Sequence, residues 1–235
     1  MSNSLIKYKQ LTILGGGSSL SEGISKGLWD KLKNCFVIGT NYSYLYYPNP
    51  TIQTFVDSQF YTKESKKEKF KKLPLIVGKE HNQLKVVLPN TITLKTNDSK
   101  YYRNIKLGIW KSSLVGIFAL SLAIYLEPKE IFLLGYDFGT INNRTDDKGR
   151  RITHFYQKEI EHRGIGKTNY FEGEKRADKD FGVYANEKKV RIYNVSLNSK
   201  INTFPKISYD EFFRSLNSEH YDQVNIREYI KEKLS

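Results

Sequence analysis

Apolar and β-branched residues fall along the chain in short unbroken runs, separated by helically spaced or polar stretches. That alternation predicts parallel strands joined by helices. Leu11–Leu14 is the first run; it enters Gly15-Gly-Gly-Ser-Ser19, and residues 20–32 then carry helical spacing. Cys35-Phe-Val-Ile-Gly39 is continuous and apolar, as suits a strand buried on both faces, and it ends at Thr40-Asn41. Tyr42 to Tyr47 reads as an aromatic turn or short helix closed by Pro48-Asn-Pro50, and Thr51–Val56 as a third strand ending at Asp57. Residues 62–72 contain six lysines and read as a solvated helix. Short strands are expected at Leu75–Val77 and Lys85–Leu88; the polar stretch from Pro89 to Tyr102 carries no clear element.

In the second half, Ser112–Leu126 is apolar almost all round, so it is expected to be a helix buried against the sheet. Pro128 ends it, and Glu130-Ile-Phe-Leu-Leu-Gly135 is the next parallel strand, delivering Tyr136-Asp137-Phe138 to its carboxyl end. Ligands of open α/β sheets collect at that edge. From Gly139 to Asn186 the chain is polar without sustained periodicity, which points to a binding loop or lid. Val190–Val195 is a last strand, Ser208-Tyr-Asp-Glu211 fits a capping box opening a helix over 209–216, and residues 221–234 form a charged terminal helix. The expected fold is one α/β domain over 1–235: a Rossmann-like, open, mostly parallel sheet with helices on both faces, a polar lid-like insertion and C-terminal helices within 208–235.

Composition narrows the setting. The 235 residues are 39% hydrophobic and 14% aromatic, enough for one sizeable core. No apolar run reaches the length of about 18 that a membrane span needs. The opening Met-Ser-Asn-Ser-Leu-Ile-Lys lacks the apolar region of a signal peptide, and Cys35, the lone cysteine, supports neither a disulfide framework nor a cysteine zinc site. A cytoplasmic location is expected. The net charge of +13 suits attraction to nucleic acid, nucleotide phosphates or an acidic glycan, although abundant Lys, Asn, Ile and Tyr are also the mark of an AT-rich coding sequence. No nucleic-acid reader motif accompanies the charge.

The candidate chemistry starts at Leu11-Thr-Ile-Leu-Gly-Gly-Gly-Ser-Ser-Leu20. A strand, a glycine turn and a serine-capped helix leave backbone N–H groups that favour a phosphate; an ordinary strand-to-helix turn is the alternative. A dinucleotide site is disfavoured, because Leu20 stands at the third glycine position of G-x-G-x-x-G. Thr40-Asn41 also takes the place of the acidic residue that holds a ribose. No G-x-x-x-x-G-K-[ST] or H-E-x-x-H occurs, and the G-x-S-x-G at Gly23–Gly27 falls inside the helical stretch 20–32 rather than at the end of a strand, so it is no nucleophile elbow. P-loop kinases, α/β hydrolases and histidine zinc hydrolases are thereby removed.

Four stretches in order resemble one superfamily: Leu-Gly-Gly-Gly-Ser-Ser-Leu, then Val-Ile-Gly-Thr-Asn41, then Gly116-Ile-Phe-Ala-Leu-Ser-Leu-Ala-Ile, then Lys129-Glu-Ile-Phe-Leu-Leu-Gly-Tyr-Asp-Phe138. One branch is the bacterial sialyltransferases of glycosyltransferase family 42. The other is the archaeal 6-hydroxymethylpterin diphosphokinase-like family, to which motility-associated glycosyltransferases and phage proteins are similar. The sialyltransferase resemblance implies a CMP-sugar donor. It also implies nucleotide contacts at Gly15, Gly16, Gly17, Ser19 and Asn41, and a catalytic base at His154 within Thr153-His-Phe155; Ser18, in the same serine-capped turn, is a further nucleotide-binding candidate. Its helix-start Ser-Gly pair falls on Val115-Gly116, with Ser112 and Ser113 just upstream as hydroxyl sources. The diphosphokinase resemblance implies magnesium held after the third strand, where Asp57 stands without a paired aspartate.

Each candidate carries an alternative. His154 is a general base or a surface histidine, and His162 a second base or an exposed helical residue. Asp137 orients a substrate or caps the turn that follows it. Asn41 binds the nucleotide or caps a helix, and Asp57 holds a ribose or caps a helix. Arg150, Arg151, Arg163 and Lys167 neutralise a leaving phosphate or are solvated charges. The function expected is a transferase using a nucleotide-activated donor, most readily a glycosyltransferase acting on a hydroxyl acceptor, for which the charge suits a polyanion. A magnesium-dependent pyrophosphoryl transferase and a nucleic-acid-binding or DNA-modifying phage-type protein are the alternatives.

Overall fold

Seven strands pair into one sheet, and every pairing is parallel. In this computed structural model, residues 8–84, 86–97, 109–110, 114–138, 154–156, 179–216 and 221–235 are described. The strands are β1 (Gln10–Leu14), β2 (Val37–Thr40), β3 (Ile52–Phe55), β4 (Ile76–Lys79), β5 (Thr91–Leu94), β8 (Glu130–Leu134) and β9 (Arg191–Asn194). Between β5 and β8 in sequence, β6 (Thr96–Asn97) and β7 (Ile109–Trp110) form a separate parallel pair. The order across the sheet is β5-β4-β3-β2-β1-β8-β9. The chain therefore winds outward from β1 to β5, then returns to the far side of β1 to lay down β8 and β9. The boundary between β1 and β8 is the topological switch point, where the two strands' carboxyl ends open a crevice.

Two-residue alternation explains why both faces are covered. Along β8, Ile131 and Leu133 enter one core cluster while Phe132 and Leu134 enter another. The first cluster lies under helix α5 (Val115–Tyr125) and the C-terminal helix α7 (Gln223–Leu234), which contributes Ile226, Ile230 and Leu234. The second lies under α1 (Leu20–Ser25), α2 (Leu28–Leu32) and α6 (Tyr209–Ser215). A third cluster joins β3 and β4 to α3 (Ser58–Glu64) and α4 (Glu68–Lys71) through Phe55, Phe60, Tyr61, Phe70 and Ile76. Helix α5 is the central filler: Ile117 to Ile124 are all buried. Full burial of each large apolar side chain there contributes about 1.5–3 kcal/mol. The expected open α/β, Rossmann-like sheet is thus present, parallel throughout.

Local departures have local causes. The helix expected over 20–32 is broken at Lys26–Gly27, where Gly27 adopts φ +80° and starts α2 in a new direction. The lysine-rich helix is likewise two helices. The hydroxyl of Ser65 turns back to the Thr62 carbonyl, and Lys67, in extended backbone, opens α4. No strand forms over 86–88; the adjoining strand is β5, inside the stretch left without an element. The β-branched Thr91-Ile-Thr gains seven-stranded register there, a long-range pairing that no local pattern announces. The capping box closes as expected: Glu211 N–H donates to Ser208 Oγ (3.2 Å), and Ser208 N–H to Glu211 Oε2 (2.7 Å). No helix among the described residues is long and apolar enough to cross a membrane.

Candidate active site

The crevice between β1 and β8 is built from two chain turns that touch. Gly15 N–H donates to the Leu134 carbonyl (2.7 Å) and Gly17 N–H to the Gly135 carbonyl (2.8 Å), so the glycine loop continues the strand pairing beyond the sheet. A Cβ on Gly15 would come within 2.6 Å of the Gly135 oxygen, and one on Gly17 within 2.5 Å of Asp137 Oδ2. These glycines are demanded by the chain itself. Gly135, with φ +69°, makes the matching turn from β8.

Asp137 is the hinge of the arrangement. Its Oδ2 accepts the Ser19 N–H (2.7 Å) and the Ser18 hydroxyl (3.2 Å), while Oδ1 accepts the Ser19 hydroxyl (2.5 Å). The carboxylate thus sits at the N-terminus of α1, where the helix dipole and unpaired N–H groups favour a negative charge. Ser19 is the N-cap by position, yet its hydroxyl makes no cap bond. The capping expected of the serines is performed from across the crevice by Asp137, which caps α1 and not the turn after itself. The backbone of Asp137 is pinned too. Its carbonyl accepts the Lys200 N–H (2.7 Å), and the preceding carbonyl of Tyr136 accepts from Ser199 Oγ (2.6 Å) and Asn194 Nδ2 (3.1 Å). Phe138 leaves the strand with φ +48°, an uncommon value for an aromatic residue.

The third glycine is kept bare by a different segment. A Cβ on Gly16 would lie 2.4 Å from His154 Cδ2 and 3.1 Å from the Tyr156 ring, and Phe155 N–H donates to the Gly16 carbonyl (3.0 Å). His154 therefore rests on the glycine loop, half-buried, with its ring 5.1 Å from that of Tyr156. Tyr156 stacks on Tyr46 (5.8 Å, 21°) and meets Tyr42 edge-on (5.8 Å), while Phe155 packs on Tyr46 (4.8 Å). Burial raises the Tyr156 and Tyr42 phenols, so both rings are neutral packing groups at ordinary pH. Tyr156 was not among the residues singled out by sequence. Its signal was only an aromatic pair following His154.

Tyr42 and Tyr46 belong to the segment that starts at Asn41, so the aromatic contacts draw Asn41 and His154 to the same edge. Asn41 opens a 3-10 helix over Asn41–Leu45 with φ +47°. Its carbonyl accepts Gln53 Nε2 (2.9 Å), but its side-chain amide makes no hydrogen bond among the described residues and caps nothing. The helix is anchored from below by Tyr44, whose hydroxyl donates to the fully buried Glu64; Lys67 Nζ also reaches that carboxylate (2.8 Å).

Gly116, near the start of α5, faces the Tyr136 ring, 3.0 Å from where its Cβ would be, and accepts the Tyr136 hydroxyl at its carbonyl (3.2 Å). Tyr136 thereby lies between Gly116 and Gly15. Asp57 stands apart: it is exposed and caps α3, its Oδ1 accepting the N–H groups of Gln59 (2.7 Å) and Phe60 (3.3 Å). No group of three or more His, Cys, Asp or Glu suited to a metal occurs among the described residues. With Asp57 standing singly as a cap and both oxygens of Asp137 engaged by N–H and hydroxyl donors, the described residues on this edge do not fit the magnesium site that a diphosphokinase needs. Ser113, Arg150, Arg151, His162, Arg163 and Lys167, and most of the 139–186 stretch, lie outside the described residues.

No protein-family model matches the chain, and no curated protein matches its sequence.

Proposed function

We propose that the chain is a transferase that takes a nucleotide-activated donor, a glycosyltransferase of the kind its sequence resembles, with a CMP-sugar-like donor and a hydroxyl acceptor. The observation that carries this reading is the seating of His154 on Gly16 at the β1–β8 switch point, with the uncommitted amide of Asn41 on the neighbouring β2 exit. An imidazole at the ligand-collecting edge of an α/β sheet is placed to act as a general base. The acceptor hydroxyl would lose its proton to His154 as its oxygen bonds to the anomeric carbon. The bond from that carbon to the donor phosphate would break, and the nucleotide would leave as the anion. Asn41 supplies a neutral donor and acceptor pair suited to a base or ribose. The lone Cys35 and the charge of +13 suit a cytoplasmic enzyme whose acceptor is polyanionic.

A thermal-shift panel of CMP, UDP, GDP and ATP, each with magnesium and with chelator, tests the reading. A ligand at 100 times its dissociation constant adds roughly 2.7 kcal/mol, a shift of several degrees for a domain of this size. A CMP response that survives chelator and is lost in Asn41→Ala is expected. A response to ATP alone, requiring magnesium, would replace the glycosyltransferase with a pyrophosphoryl transferase; silence toward all four would remove the donor site.

A further inference from the structure

The glycine loop and the start of α1 have the form of a phosphate cradle, but their donors are already spent. Gly15 and Gly17 give their N–H groups to β8, and Ser19 gives its N–H and hydroxyl to Asp137. Leu20 and Ser21 close tight turns onto the carbonyls of Gly17 (3.3 Å) and Ser18 (3.0 Å). Between Gly15 and Ser21 only the N–H groups of Gly16 and Ser18 are left out of this scheme, and the Ser18 hydroxyl is itself on the same carboxylate (3.2 Å). That carboxylate is a fixture. Asp137 is 6% exposed, and its carbonyl and that of Tyr136 are held by the β9 exit. An anion entering here would lose the donors that make such a turn attractive and would meet a like charge in a poorly solvated corner.

We infer that Asp137 is a specificity-determining residue: it fills the anion position of the glycine loop from within, so that the loop excludes phosphate and receives an uncharged, hydroxyl-bearing part of the ligand. Resting on the donor-binding reading above, this places the sugar or ribose of the donor against Gly15–Ser19 and its phosphate elsewhere along the edge. The carboxylate and the serine oxygens, whose protons are committed to it, remain acceptors, and an acceptor set is what a sugar hydroxyl can donate to and a phosphate cannot.

The test is an amide chemical-shift titration of the full chain with inorganic pyrophosphate, then with cytidine, on the wild type and on Asp137→Asn. The neutral amide keeps the size and the acceptor oxygen but removes the charge. In the wild type, pyrophosphate should leave the Gly15–Ser19 amides unmoved. In Asp137→Asn those amides should shift, with an apparent affinity for pyrophosphate at least about tenfold higher, equivalent to about 1.4 kcal/mol. Wild-type amides that move with pyrophosphate as readily as the variant's would overturn the inference, and so would a folded variant that gains nothing. Asp137→Ser serves the same comparison if the asparagine variant does not fold. Cytidine separates the two readings. If it moves no residue of this edge, Asn41 included, the donor reading fails while the pyrophosphate comparison still decides the role of Asp137.

Discussion

Ser19 and Asp137, 118 residues apart in the chain, are joined twice: the carboxylate of Asp137 takes both the backbone N–H and the hydroxyl of Ser19. One side chain from the exit of β8 thus terminates α1, fixes the glycine loop and closes the crevice at the switch point. Removing it should be costly. Asp137→Ala leaves the Ser19 N–H without a partner in a poorly solvated place and should lower stability by about 1–3 kcal/mol. Asp137→Asn, which still accepts, should lose less. Urea denaturation of the two variants checks the order; equal losses would show that the carboxylate charge, which both variants remove, holds the turn, and not the acceptor oxygen that Asn retains.

The three glycines should separate by what blocks them. Alanine at Gly15 or Gly17 presses on the Gly135 carbonyl (2.6 Å in each case), which belongs to a backbone fixed in the sheet. Each should lose about 1–3 kcal/mol of stability from overpacking. Alanine at Gly16 presses on the His154 ring instead. A side chain at the half-buried edge can yield, so melting should change less while the position of His154 changes more. If His154 is the base, Gly16→Ala should lower turnover by about a hundredfold, the scale on which small misplacements act. Thermal melts alongside single-turnover rates would distinguish the two classes.

Asn41 can be divided into its backbone and its amide. Its φ of +47° is in the left-handed region, which Gly enters freely and Asn more readily than Ala. Asn41→Gly should therefore hold or raise stability, while Asn41→Ala loses about 1 kcal/mol. Both remove the amide, so both should lose nucleotide binding equally. Isothermal titration with CMP and a melt of each variant give the four numbers needed. Binding retained in Asn41→Gly would limit the residue to shaping the turn.

Much of the fold was legible because parallel strands buried on both faces are short unbroken apolar runs, and Leu11–Leu14, Glu130–Gly135 and the helix through Ile117–Ile124 are such runs. What could not be read was set by contacts distant in sequence. Thr91–Leu94 becomes a strand because β4 offers it an edge, and residues 86–88 do not because they lie before that register begins. The glycine loop was legible as a place of close approach, but not what approaches. Gly135, Asp137 and His154 fill that space from more than a hundred residues away. Asn41 and Asp57 had the same alternatives on paper, ligand or helix cap; the folded chain uses Asp57 as a cap and leaves the Asn41 amide uncommitted.

The many buried phenols give the molecule an alkaline limit. Burial holds Tyr8, Tyr44, Tyr47, Tyr136, Tyr156 and Tyr209 protonated well above the usual tyrosine range, and the Cys35 thiol is pushed up to about 11 for the same reason. In the unfolded chain these groups ionise at their ordinary values, near 10 for Tyr and 8.5 for Cys. Above those values the unfolded state binds fewer protons than the folded one, so stability falls as pH rises. The contribution is whole below about pH 8 and is lost progressively above about pH 9–10, each buried group costing about 1.4 kcal/mol per pH unit once its unfolded form is ionised. Urea midpoints measured from pH 7 upward should be level at first and then drop steeply around pH 10, with phenolate absorbance rising in the same transition as the loss of helical circular dichroism. Phenolate absorbance that reaches the level of all seventeen tyrosines well before unfolding would mean that these six rings are solvated in the folded state, contrary to their burial.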